Sequence, residues 1–172
     1  MNVSWYLILL RLLHIGLGAL WVGMMAFTVV FLQPALRDAG PSGQAVMAGI
    51  QRRRFMTVMP IIALITILSG MLLMHRLYAD MSALLTTPGG LALVVGAVAA
   101  IVAFILGVAV VRPAMTNAGA LAQSMASAGS EAERAKLGAH LQRLQARGAA
   151  MTPIVFGLLL VALGAMAVAR YL

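Results

Sequence analysis

The chain has 172 residues, 63% of them hydrophobic and only 9% charged, with a formal net charge of +8. No water-soluble globular domain of this size tolerates that balance, so an integral membrane protein is expected. The absence of cysteine excludes disulfides, thiolate metal sites, iron–sulfur clusters and thiol catalysis.

The expected fold is all-α: one domain over 1–172, a four-helix transmembrane bundle with helices at about 5–32, 55–78, 91–111 and 153–169. Each run reaches the roughly 17–25 residues that cross the hydrocarbon as a helix. The first carries Arg11 and His14, two ionisable groups that membrane helices rarely hold without a reason. It lacks a basic n-region and a small-residue cleavage site, so it is expected to be retained rather than removed as a signal peptide. Three- and four-residue steps along it collect Arg11, His14, Gly18, Trp21, Met25, Thr28 and Leu32 on one stripe, which should face the bundle interior. Gly18 removes bulk beside the imidazole, space that suits either a flat ligand or a neighbouring helix.

Gln33-Pro34 should end this helix, and Gly40-Pro41-Ser42-Gly43 should turn the chain before a short helix. The connection 33–54 carries Arg37, Arg52, Arg53 and Arg54, and the connection 112–152 carries Arg112, Arg134, Lys136, Arg143 and Arg147. Positive charge gathers on the cytoplasmic side, which predicts an N-out, C-out topology. Trp5, Tyr6, Tyr78 and Tyr171 then fall at the outer interface. The basic connections read as orientation signals and anionic-lipid contacts; no nucleic-acid partner is expected, because stacking platforms beside the basic stretches are missing.

The second run holds Pro60 in its first turns and ends on Met71, Met74, His75 and Arg76. Thr87-Pro88-Gly89-Gly90 should start the third, whose Gly96, Ala100, Ala103 and Gly107 form a packing face. In the last connection Ser130 is the expected cap of an amphipathic helix with Leu137, Leu141 and Leu144 on its apolar stripe. This helix either lies on the membrane surface or leads into the last run, where Ala162, Ala165 and Ala169 offer a second small-residue face.

Chemistry therefore concentrates in the first two runs. From the rise per residue and a typical interhelix spacing, His14 and His75 would stand about 11–13 Å apart, compatible with two imidazoles on one haem iron. Arg11 and Arg76 would lie toward water on the same side, available to haem propionates. Copper is the second reading: Met71, Met74, His75 and Met81 cluster among thirteen Met residues, and thioether with imidazole suits Cu(I). The structural alternative leaves His14 bonded to a backbone carbonyl or to a residue such as Ser69 or Thr66. Arg11, His14, Asp80 and Arg76 are the only candidates for catalysis, and no acid–base pair or nucleophile stands out, so an enzyme ranks last.

Leu13-His14, Leu20-Trp21-Val22-Gly23 and Leu32-Gln33-Pro34-Ala35-Leu36 resemble the first helix of the copper-resistance protein D (CopD)-like membrane proteins. Arg52-Arg53-Arg54-Phe55, Pro60 and Leu68-Ser69-Gly70 resemble their second helix, and also that of the HemJ-type protoporphyrinogen oxidases. The resemblance implies a bacterial inner-membrane protein that handles copper or haem b, with His14 as the transferable position. HemJ-type enzymes look to a Lys in the third helix, and Leu91–Val111 holds none. The alternative from a different class is a cofactor-free accessory subunit that docks on a larger respiratory or photosynthetic complex, or on another redox partner, through its small-residue faces.

Overall fold

The computed structural model describes residues 4–78 and 82–172, and all its regular elements are helices. Four are long and apolar enough to cross a membrane: α1 (Trp5–Asp38), α3 (Phe55–Leu77), α5 (Pro88–Met125) and α6 (Glu131–Tyr171). Two short helices, α2 (Pro41–Arg52) and α4 (Ala83–Thr86), sit in the connections. The exposed surface of the long helices is largely Leu, Ile, Val and Phe, which fits contact with a bilayer.

Three of the expected boundaries move outward. Gln33-Pro34 does not end α1, because a wide π turn at Thr28–Leu32 absorbs the proline and the helix continues to Asp38. In that turn the Gln33 N–H reaches back to the Thr28 carbonyl, so the donor missing at Pro34 is taken up by the change of register. Arg112-Pro113 is treated identically: a π turn at Gly107–Val111, closed by the Arg112 N–H on the Gly107 carbonyl, carries α5 past the proline. Pro153 does not open the last helix either. It lies inside α6, where the Thr152 hydroxyl donates to the Gly148 carbonyl at 2.7 Å one turn earlier.

The connection 112–152 is therefore two helical extensions packed against each other, the end of α5 on the start of α6. Leu141 is buried in that contact, with Leu137 and Leu144 half-buried beside it. The cap expected at Ser130 forms, and Thr87 caps the start of α5 as well. Thr87 Oγ1 accepts from the Gly90 N–H at 3.1 Å, and Ser130 Oγ from the Glu133 N–H at 3.2 Å. Glu133 in turn accepts from the N–H of Gly129, the residue before the cap.

The long helices pair as two hairpins, α1 with α3 and α5 with α6, and these touch through α1–α6 and α3–α5. That arrangement leaves α1 and α5 on one diagonal and α3 and α6 on the other. The second hairpin repeats the first. The two π turns coincide when Val29, Pro34, Ala35, Ala39 and Gly40 are laid on Val108, Pro113, Ala114, Ala118 and Gly119. On the partner helices, Arg54, Pro60 and Ile61 correspond to Arg147, Pro153 and Ile154, and buried Met59, Thr66 and Ser69 fall on buried Thr152, Leu159 and Ala162.

The core lies where the hairpins meet: Trp21, Met59, Ala63, Ala103, Val155 and Leu159. The small-residue face expected on the third run is used for close approach. A Cβ at Gly96 would come within 3.0 Å of Met166 Cγ and 3.1 Å of the Ala162 carbonyl oxygen, and Ala103 is fully buried at 0% exposure. At the basic end, α2 is tied underneath by Gln51, whose Nε2 donates to the Met115 carbonyl at 3.0 Å. Arg54 joins α2 to α3 in a left-handed conformation (φ 59°), a geometry that costs a non-glycine residue about 1–2 kcal/mol.

Enlarging Ala103 to Leu overpacks this contact and is expected to destabilise the bundle by about 1–3 kcal/mol, read as a lower unfolding midpoint in detergent. Ile105→Leu, on an exposed face, should change stability by less than about 0.5 kcal/mol.

Candidate functional site

His14 is carried by the inward stripe of α1, which the structure bears out from His14 to Leu32: Trp21 is buried and the other members are half-buried. Arg11 departs from the stripe and is exposed. One turn and two turns inward from it on the same side of α1, Ile15 and Gly18 enter the wall of a cavity.

The imidazole spans to α3. His14 Nδ1 lies 2.8 Å from the Thr66 carbonyl oxygen. A carbonyl can only accept, so Nδ1 carries the hydrogen, and in the neutral ring Nε2 is left with its lone pair. No hydrogen-bond partner for Nε2 occurs among the described residues. Of the two structural options open in the sequence, the backbone carbonyl is the one taken. The Thr66 and Ser69 hydroxyls turn back on their own helix instead, to the carbonyls of Ile62 and Ile65 at 2.9 and 2.7 Å.

Glycines make this seat. The ring lies directly over Gly70, where a Cβ would stand 2.5 Å from His14 Cε1 and 2.8 Å from Nδ1. Only glycine admits the imidazole there. At Gly18 the space is filled by the neighbouring helix, since a Cβ would meet Thr66 Cγ2 at 3.4 Å. Sequence reasoning singled out Gly18 and passed over Gly70, whose role is visible only when the two helices are brought together.

His14 borders a cavity of about 500 Å³ in the half of the bundle nearest the aromatic ends, walled by all four long helices. Its lining is almost wholly apolar, and its size falls within the range of small-molecule and cofactor sites. Met71 and Met74 join His14 in the wall, whereas His75, Arg11 and Arg76 stay outside it. His75 is exposed, and Arg76 is exposed but stacked on Tyr6 of α1, its guanidinium carbon 5.4 Å from the ring centroid. The cavity lining takes in His14, Met74 and Met71, the last still 53% exposed, and leaves His75 outside. Asp80 and Met81 lie outside the described residues. No group of three or more His, Asp or Glu residues suited to a metal ion occurs among the described residues.

The chain matches no protein-family model, and comparison with curated proteins and with solved structures finds no match.

Adding a methyl group at Gly70 must push the imidazole off its seat. Gly70→Ala is expected to break the Nδ1–Thr66 bond and to change the ring ¹⁵N shifts of His14, which can be resolved because the chain has only three histidines. The same variant should lose about 1–3 kcal/mol of stability, as overpacked sites do.

Proposed function

We propose that this protein is a multi-pass protein of the bacterial inner membrane, both termini outside, that holds haem b through His14 in the aromatic-end cavity. The observation that carries the reading is the hydrogen bond from His14 Nδ1 to the Thr66 carbonyl beside a cavity of about 500 Å³. A metal-binding histidine ordinarily donates its other ring N–H to a carbonyl or carboxylate, which fixes the tautomer and aims the free nitrogen. The residues present fit such a group: one imidazole nitrogen without a partner, an apolar wall, and a cation one turn beyond it.

In this reading His14 would hold the group through Nε2, and the Thr66 carbonyl would orient the ring. Gly70 leaves room for the ring, while the Leu, Ile and Met wall keeps water away from the centre. Arg11, one turn away on α1 and exposed, would meet propionate groups while its charge stays in contact with headgroups. Haem in such a site supplies one-electron transfer or the binding of a small ligand. Arg76 is already committed to Tyr6. The basic residues of 33–54 and 112–152 support the orientation, and the exposed Trp5, Tyr6 and Tyr171 at the opposite end support it independently.

Two other readings have an observation behind each. His14, Met71 and Met74 share one wall, a donor set that suits Cu(I). Helix α1 is the least covered of the four, and Gly16 and Gly23 on it meet no atom within 4 Å. That bare face fits an accessory subunit docked on a larger complex.

Purified in mild detergent, the protein is expected to show a Soret band that His14→Ala abolishes or shifts. A folded protein with copper and no Soret band would establish the copper reading, and one with neither, running with a larger assembly on native gels, would establish the subunit reading. Because the chain has no cysteine, orientation can be read from single introduced thiols. Ser4→Cys should react with an impermeant reagent in intact spheroplasts, and Ala139→Cys only after permeabilisation.

A further inference from the structure

A second cavity, of about 120 Å³, lies at the basic end, walled by the four long helices and by α2. Its lining runs from Gln33 to Trp21 along α1 and from Met115 to Ala103 along α5, roughly 18 Å of helix in each case. So small a volume over that length is narrow, well below the 300–1,000 Å³ or so of sites for whole cofactors. Both π turns border it, the first through Thr28 and Leu32, the second through Gly107 and Val108. A Cβ at Gly107 would meet no atom within 4 Å, so the second turn stands over open space.

The polarity of this channel is graded. Its inner part is the buried core around Trp21, Met59, Ala103 and Val155. The Thr28 and Thr152 hydroxyls are committed to the carbonyls of Met24 and Gly148, at 2.7 Å each. At the basic end the lining holds half-buried Gln33 and exposed Arg112, whose side chains have no partner among the described residues. Arg112 is one of nine cations on 33–54 and 112–152, against three carboxylates. No ion pair forms among the described residues of these segments, so the counter-charge must come from outside the chain.

We infer that this channel seats an anionic phospholipid from the leaflet at the basic end, with its phosphate on Arg112 and Gln33 and one acyl chain running between the π turns toward Trp21. The order of groups is that of such a lipid, charge at the interface and hydrocarbon inward. A guanidinium meets phosphate oxygens through two parallel N–H groups. The exposed Arg52, Arg53 and Arg54 at the end of α2 add attraction for anionic headgroups. A zwitterionic lipid could fill the channel but would leave these cations uncompensated. The site is separate from the His14 cavity and does not depend on what that cavity holds.

Trp21 lines the channel, and the other tryptophan, Trp5, is 76% exposed at the opposite end of α1. In a Trp5→Phe background the fluorescence therefore comes from Trp21 alone. In mild-detergent micelles, phosphatidylglycerol with brominated acyl chains is expected to quench it saturably at one lipid per chain, and brominated phosphatidylethanolamine to need at least about fivefold more. Arg112→Gln should weaken the phosphatidylglycerol response about fivefold and leave that of phosphatidylethanolamine unchanged. Gly107→Leu, which fills the channel, should remove quenching by both lipids. Equal quenching by the two lipids, or none by either, overturns the inference. So does quenching by phosphatidylglycerol that survives in folded Gly107→Leu, which would put the lipid on the outer surface. Dibromostearate that displaces phosphatidylglycerol at equal concentration would make a free fatty acid the occupant and overturn it too. If Gly107→Leu does not fold, the comparison of the two lipids still decides.

Discussion

One hydrogen bond organises the half of the bundle nearest the aromatic ends: His14 Nδ1–H to the Thr66 carbonyl. It joins α1 to α3, fixes which ring nitrogen is free, and requires a glycine at position 70 for the ring to lie flat against the neighbouring backbone. Cross-helix hydrogen bonds in membrane proteins contribute about 0.6 kcal/mol on average, so this one matters for placement more than for stability. Its consequence is positional. A polar ring is held at the rim of an apolar cavity, in a chain where most polar side chains turn back on their own helices.

The two hairpins are alike without being identical. Their shared features set the frame: the wide turns before Pro34 and Pro113, the internal Pro60 and Pro153, and the matching buried positions on α3 and α6. The pair meets around Trp21, Met59 and Ala103. Toward the aromatic end Ala97 and Ala100 contribute little side-chain volume to the cavity wall, and space opens between the four helices.

Much of this was legible in the sequence, for physical reasons. Long apolar runs announce themselves by composition, and the helix start at Thr87-Pro88 and the cap at Ser130 by local chemistry that needs no tertiary partner. The inward face of α1 followed from a three-four spacing, which held from His14 to Leu32 and failed at Arg11, where the charge is better placed in the open. The helix ends were not legible. Proline normally marks a boundary, and nothing local to Gln33-Pro34 or Arg112-Pro113 says that a π turn will carry the helix through. The facing of His75 was equally hidden, because it depends on how α3 is rotated against its neighbours. The internal repeat is carried by few residues among many similar apolar ones, and stands out only when the two π turns supply the register.

Helix α6 has 41 residues, about 60 Å of continuous rod, roughly twice the thickness of the hydrocarbon layer. One end of it walls the cavity through Leu159 and Leu163, and the other projects past the basic end against the tail of α5. A rod of that length joins the cavity wall at one end to the basic extension around Glu131 and Lys136 at the other, with Pro153 lying between them.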